Sequence, residues 1–288
     1  PARRYSRKIA TGPSNRYDRS ISTFSDDGRL LQVEYGMEAS RRGQTVSCVE
    51  ISFQDTTFVC VAVVVDDEGG VGTAEKVHRI DDHCLLITTG LSGDGRALAQ
   101  ATRMACQRLS LTYGETATLG EVADAVAEMQ HELTRTGGAR PFGVTATIIG
   151  VEPQPEKEEN GKKFMGSAKL FQSEPGGIVE EYSSCAAGKN RMDVESALIK
   201  LRSDILTGQG EVTSWNDEIA EGKIKSSPSS ILEKAVEGVV KITFEANEDA
   251  KLVDVWVISP DVERRGNARF RCARRVRRDD LDLVKKLF

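Results

Sequence analysis

At 288 residues, 39% of them hydrophobic, the chain is long enough for one large domain or two small ones with a substantial buried core. Its 39 basic against 44 acidic residues leave a formal charge of −5, too balanced to nominate a polyanion or a membrane surface as partner. It has no run of about 18 apolar residues, its opening PARRYSRKIATGPSNR lacks the apolar core of a signal peptide, and Cys48, Cys60, Cys84, Cys106, Cys185 and Cys272 are scattered without a CxxC pair. The chain is therefore expected to be soluble and intracellular, with buried reduced thiols rather than disulfides or a zinc site.

Residues 1–16 are basic and small, with Gly12 and Pro13, and read as a mobile arm. The stretch 17–43 joins a polar turn to an amphipathic helix. Ser25, Asp26 and Asp27 each offer an acceptor to a first helical turn, which predicts a helix starting near Gly28. Leu30, Val33 and Met37 then fall at i, i+3 and i+7, with Leu31 and Tyr35 on a flanking stripe, so this helix needs a surface to lie on. Thr45–Ile51 and Thr57–Val65 are β-branched runs expected to form an antiparallel hairpin, and Cys84–Thr89 a third strand. Two helices follow, one with Leu98, Ala101, Ala105 and Leu109 on a face. The other carries Leu119, Val122, Val126, Met129 and Leu133 and stops at Gly137-Gly138. Strands are predicted over Val144–Val151, Lys169–Ser173 and Ile178–Tyr182, the first two joined by the charged surface loop PQPEKEENGKKFMGS. A second helix pair carries Val194, Ala197, Leu198, Leu201 and Ile205, then Leu232, Val236, Val239 and Thr243, and Leu252–Ile258 is a closing strand. Strand runs alternating with helix pairs point to an α+β layered domain.

Within this pattern Tyr17-Asp18-Arg19, Phe24-Ser25, Gly28-Arg29-Leu30, Gln32-Val33-Glu34-Tyr35 and Glu38-Ala39 resemble the N-terminal signature of proteasome α-type subunits. Later segments resemble the family's landmarks in order: Glu75-Lys76-Val77, Asp81-Asp82-His83 leading to Gly90-Leu91, Thr112 to Glu115, Gly137 to Val144, and Ala187-Gly188. The resemblance implies a four-layer αββα sandwich of the N-terminal-nucleophile hydrolase fold, with an N-terminal helix across the top. It divides the chain into a mobile arm (1–16), a signature turn and helix (17–43), the sandwich (44–262), and an Arg-rich segment with a C-terminal helix (263–288).

The function it implies is that of a non-catalytic α-ring subunit of the core proteasome, acting in ring assembly, the axial gate and activator docking during ATP- and ubiquitin-dependent protein degradation. The implied partners are other α subunits in a seven-membered ring, β subunits, activator particles and the unfolded polypeptide passing the gate. The implied setting is cytoplasm and nucleus, without cofactor, metal or membrane. Residue by residue, the resemblance places the gate cluster on Tyr17, Asp18, Arg19, Asp26 and Tyr35, and the pocket for activator tails on Lys76, Glu34 and Gly90. Three departures stand out: Asp26 where the family usually has proline, Gly36 where alanine is usual, and an uncharged Val61-Ala62-Val63-Val64-Val65 where charges are common.

Hydrolases related to these subunits use an N-terminal threonine whose own α-amine is the base, and only a free terminus supplies that amine. Thr45 lies where the family's first strand begins, but 44 residues precede it, so its nitrogen is an amide. The alternative is an N-terminal-threonine hydrolase activated by cleavage before Thr45. His78, His83 and His131 have no metal-ligand spacing, and GLSGDGRA lacks phosphate-loop spacing and puts Asp94 where a phosphate would be repelled. Eight arginines between Arg264 and Arg278 could bind nucleic acid. The chain is acidic as a whole and only Phe270 interleaves them, which favours a solvated or subunit-paired segment.

Overall fold

The computed structural model describes residues 21, 23–53, 56–65, 76–152, 158–159, 162–163, 167–210, 228–260 and 268–277. The predicted hairpin forms as β1 (Val46–Phe53) and β2 (Thr56–Val65), in register from Val46 opposite Val63 to Phe53 opposite Thr56. Both strands read as unbroken apolar runs because both faces are buried. Val46, Cys48, Val59, Val61 and Val63 face one core, and Val49, Ile51, Phe58, Cys60 and Ala62 face another.

Further along come β3 (Val77–Asp81), β4 (Cys84–Gly90), helices α2 (Ser92–Tyr113) and α3 (Leu119–Arg135), then β5 (Val144–Val151). Two short strands, β6 (Glu158–Glu159) and β7 (Lys162–Lys163), pair with each other inside the expected surface loop. The chain continues through β8 (Ala168–Ser173), β9 (Val179–Glu181), β10 (Ser184–Ala187), α4 (Arg191–Gly210), α5 (Pro228–Ala246), β11 (Leu252–Pro260) and β12 (Ala268–Arg277).

The strands make two five-stranded antiparallel sheets, one ordered β10-β1-β2-β11-β12 and the other β3-β4-β5-β8-β9. Leu85, Ile87, Ile149 and Leu170 of the second sheet meet Val46, Cys48, Val61 and Ile258 of the first in a dry inter-sheet core. Leu98, Val122 and Val126 of α2 and α3 cover the outside of the second sheet, while Leu198, Val236 and Val240 of α4 and α5 cover the outside of the first. This is the four-layer αββα sandwich implied by the resemblance. Local chemistry agrees with it. Thr118 caps α3 by accepting from Glu121 N–H at 3.2 Å while Glu121 Oε2 accepts the Thr118 N–H at 2.8 Å, and Gly114, at φ 74°, ends α2.

Three strands escape the periodicity argument. β3 (VHRID) lies at a sheet edge and keeps polar residues, and β10 (SCAA) is short and small. The third changes the reading of the tail. Leu252–Ile258 is not the last strand, because residues 268–277 pair antiparallel with β11 from Pro260 opposite Ala268 to Leu252 opposite Arg277, with a bulge near Asp254. The sandwich therefore extends past 262 into the Arg-rich segment. Its alternation of small or apolar residues with arginine suits an edge strand, where charge is tolerated and blocks further pairing. The arm 1–16, the expected C-terminal helix and the linker 211–227 lie outside the described residues.

Candidate functional site

The helix of the signature, α1 (Leu31–Arg41), begins three residues later than predicted. Ser25 does not cap it. Ser25 instead closes a turn in front of it: Gly28 N–H donates to the Ser25 carbonyl at 2.8 Å, Ser25 N–H to the Arg29 carbonyl at 2.9 Å, and Arg29 N–H to Ser25 Oγ at 3.1 Å. Gly28 takes φ 73°, which glycine adopts without strain. Asp26 occupies position i+1 of this turn, where proline would pre-set φ; the three hydrogen bonds form with aspartate there. Arg29 ties the turn to the helix through a bidentate pair with Glu34.

The apolar positions Leu30, Val33 and Met37 stay half-buried, and the face of α1 that is buried carries Gly36 and Ser40. A Cβ added to Gly36 would lie 3.1 Å from the Phe142 carbonyl oxygen, and one added to Gly90 would lie 2.1 Å from the Gly143 carbonyl oxygen and 3.1 Å from Ser40 Cα. The glycine that looks costly inside a helix is thus what lets α1 approach the loop between α3 and β5. Met37, Ser40 and Arg41 also border a small cleft with Thr145 of β5 and Ala187 and Gly188 beyond it, so α1 spans from one sheet to the other at this end.

Thr45 follows directly. It is fully buried, and its Oγ1 lies 2.9 Å from the Lys189 carbonyl oxygen and 2.8 Å from Asn247 Oδ1. Neighbouring Ser47 has its Oγ 2.8 Å from Thr243 Oγ1 of α5, so these alternate side chains point to the helix layer, while Val46 and Cys48 point between the sheets. Lys189 N–H donates to the Gly43 carbonyl at 3.1 Å, pinning the chain just before Thr45. A cavity of about 590 Å³ lined by Gln44, Val64, Lys189, Asn190, Asn247 and Lys251 lies alongside, but Thr45 is not among its lining residues.

Lys76 is half-buried beside the start of β3, with its carbonyl accepting Thr88 N–H at 2.9 Å; Gly90 ends β4 at the same end of the sheet. Glu34 sits six residues before Ser40, about 9 Å along the helix axis at 1.5 Å per residue, and is engaged by Arg29. Ser40, rather than Glu34, is the α1 residue set against Gly90. Tyr35 is exposed, and Tyr17, Asp18 and Arg19 lie outside the described residues. Among the described residues no group of three or more His, Cys, Asp or Glu could hold a metal, and no helix is long and apolar enough to cross a membrane.

Sequence reasoning missed the pair that builds the seat of α1. Asp94 accepts from both Nη atoms of Arg140 at 2.6 Å and from Gly143 N–H at 3.0 Å. Burial works to raise the Asp94 carboxyl. The Arg140 hydrogen bonds, the Gly143 N–H and the Arg140 charge outweigh it and hold the group below the usual carboxylate range. Forty-six residues separate the partners, and no local pattern marks the contact.

A sandwich of two antiparallel sheets between helix pairs, crossed at one end by a helix that precedes its first strand, defines a proteasome-type subunit. The family model for proteasome subunits matches residues 47–213, and the model for the N-terminal signature of the α-type proteasome subunits matches residues 17–39. The chain is 33% identical over 271 residues to the proteasome subunit alpha of Archaeoglobus fulgidus, covering 90% of this chain and 97% of that one. It is 36% identical over 200 residues to the proteasome subunit alpha of Methanocaldococcus jannaschii, covering 69% and 71%. To proteasome subunit alpha type-7 of Caenorhabditis elegans it is 34% identical over 190 residues, covering 64% and 68%. The chain belongs to the proteasome subunit family, as an α-type member.

Proposed function

We propose that this chain is a non-catalytic α-ring subunit of the core proteasome, contributing to ring assembly and to the axial gate. The observation that carries this reading is the continuous path from α1 through Gly43 and Gln44 into a buried Thr45. That threonine's hydroxyl is turned toward Lys189 and Asn247, and its nitrogen belongs to a peptide bond. A nucleophile needs a free amine and an open face, and neither is available to Thr45 in the intact chain. Its partners are other α subunits in a seven-membered ring, β subunits and the polypeptide passing the gate. Native mass spectrometry of the assembled particle combined with intact mass of this subunit tests the reading. The expected result is a large peptidase complex in which residues before Thr45 are retained. A chain beginning at Thr45 would instead establish the processed-hydrolase alternative.

The finer part of the proposal is that Tyr17, Asp18, Arg19, Asp26 and Tyr35 form the gate cluster, and that Lys76, with Glu34 and Gly90 at its rim, receives activator tails during ATP- and ubiquitin-dependent degradation in cytoplasm and nucleus. A lysine suits that role as a point charge for a terminal carboxylate. Lys76→Ala is expected to lower activator-stimulated peptide hydrolysis at least tenfold with the unstimulated rate unchanged. Equal stimulation of both particles would remove Lys76 from the pocket.

A further inference from the structure

Asp94 is 8% exposed and sits in the first turn of α2, where a carboxylate complements the helix dipole. Its hydrogen bonds reach well beyond that helix. Besides taking both Nη atoms of Arg140, it accepts the buried Gly143 N–H, and Arg140 Nη1 also donates to the Pro141 carbonyl at 3.2 Å. Leu91 N–H donates to the Gly143 carbonyl at 3.0 Å, so the start of α2 grips the 140–143 loop at both of its ends. The other side of that loop carries α1. The Phe142 carbonyl faces Gly36, and a Cβ on Gly143 would lie 3.1 Å from Ala39 Cβ. From α1 the Arg29–Glu34 pair leads back to the Ser25–Arg29 turn. The contacts therefore form one chain: Asp94, the 140–143 loop, α1, the turn.

We propose that Asp94 is a positioning residue for the gate. Through Arg140 and Gly143 it fixes the height at which α1 rides on the sandwich, and so where the turn before α1 is presented. The inference rests on the gating role proposed above. Asparagine at 94 keeps the size of the side chain and loses the paired charge that orients the guanidinium and holds the loop. Arg140 has a side chain 60% exposed, so Arg140→Lys is accommodated while losing the two-pronged geometry.

The test uses the full chain assembled into its particle and compares wild type, Asp94→Asn, Arg140→Lys and a control, Arg202→Gln. The control removes a hydrogen bond from Arg202 Nε to the Glu50 carbonyl at 3.0 Å, on α4 and away from α1. Amide hydrogen exchange over residues 31–41 and unstimulated peptide hydrolysis are both measured. Both seat variants are expected to exchange about tenfold faster in α1, the loss of roughly one charge-assisted hydrogen bond, and to hydrolyse peptides faster without an activator. The control should match wild type in both. Wild-type exchange in α1 for Asp94→Asn and Arg140→Lys, or the same acceleration in Arg202→Gln, overturns the proposal. Faster α1 exchange with unchanged hydrolysis supports the positioning role and counts against the gating reading on which it rests.

Discussion

Thr45 shows how one residue's chemistry is decided by what surrounds it. Its hydroxyl has one proton and two acceptors, Lys189 O and Asn247 Oδ1, so it links β1 to the end of α5. Thr45→Ala is expected to destabilise the fold by about 1–3 kcal/mol, because both acceptors lose a buried donor, while the peptidase rate of the assembled particle is unchanged; thermal unfolding and peptide hydrolysis on one preparation check both halves. His83 makes a different prediction. It is 1% exposed, and burial pushes its pKa below the ordinary 6.5, opposed by the carboxylate of Asp81 at 3.9 Å. The unfolded chain therefore takes up this proton at a higher pH than the folded one. Stability from His83 is present above about pH 6.5 and is lost as the pH falls from there toward the lower folded-state value. Urea unfolding at pH 7.5 and 5.5 should show a smaller pH dependence for His83→Gln than for wild type; an equal dependence would assign the effect to other groups.

Among the elements, α1 and α3 are fixed in opposite ways. α3 carries its own start signal, the Thr118–Glu121 capping box, and an apolar face to match. Thr118→Ala should lower its stability by about 1 kcal/mol, read as a shift in the urea midpoint with the slope unchanged. α1 has no side-chain cap and buries only Gly36 and Ser40, so it depends on its seat: Phe142 O, Gly90, Gly143 and, behind them, Asp94 and Arg140. Its half-buried Leu30, Val33 and Met37 leave an apolar flank along the same helix. β12 is a third case, an arginine-rich strand that exists because β11 offers it an edge, not because its composition demands a strand.

At the scale of the molecule, three apolar layers enclose five of the cysteines. Cys48 and Cys185 pair across β1 and β10, and Cys60, Cys84 and Cys106 lie in the helix-facing cores. Burial raises the Cys84 thiol well above its ordinary value, and burial with the nearby Asp81 carboxylate pushes Cys106 up to about 12. These five thiols are expected to resist alkylation at neutral pH until the sandwich unfolds, which peptide-level mass spectrometry after a timed pulse of iodoacetamide will show. Rapid native labelling of any of them would mean that its layer opens locally.

The amino-acid sequence was enough to assign the layered α+β class, the two helix pairs and most of the strands, because those elements bury continuous or periodic apolar faces that are visible locally. It was also enough to recognise the signature of 17–43 and to see that Thr45 has no free amine. It could not reveal β3, β10 or β12, whose short or polar sequences become strands only when a neighbouring edge supplies hydrogen-bond partners. Nor could it join Asp94 to Arg140 or explain Gly36, since the reason for each residue is a backbone or side chain brought close by the fold. Tertiary structure alone determined that α1 begins at Leu31, that Ser25 closes a turn rather than capping a helix, and that Thr45 faces the helix layer. Local periodicity specifies what must be buried; the packing of distant segments decides against what.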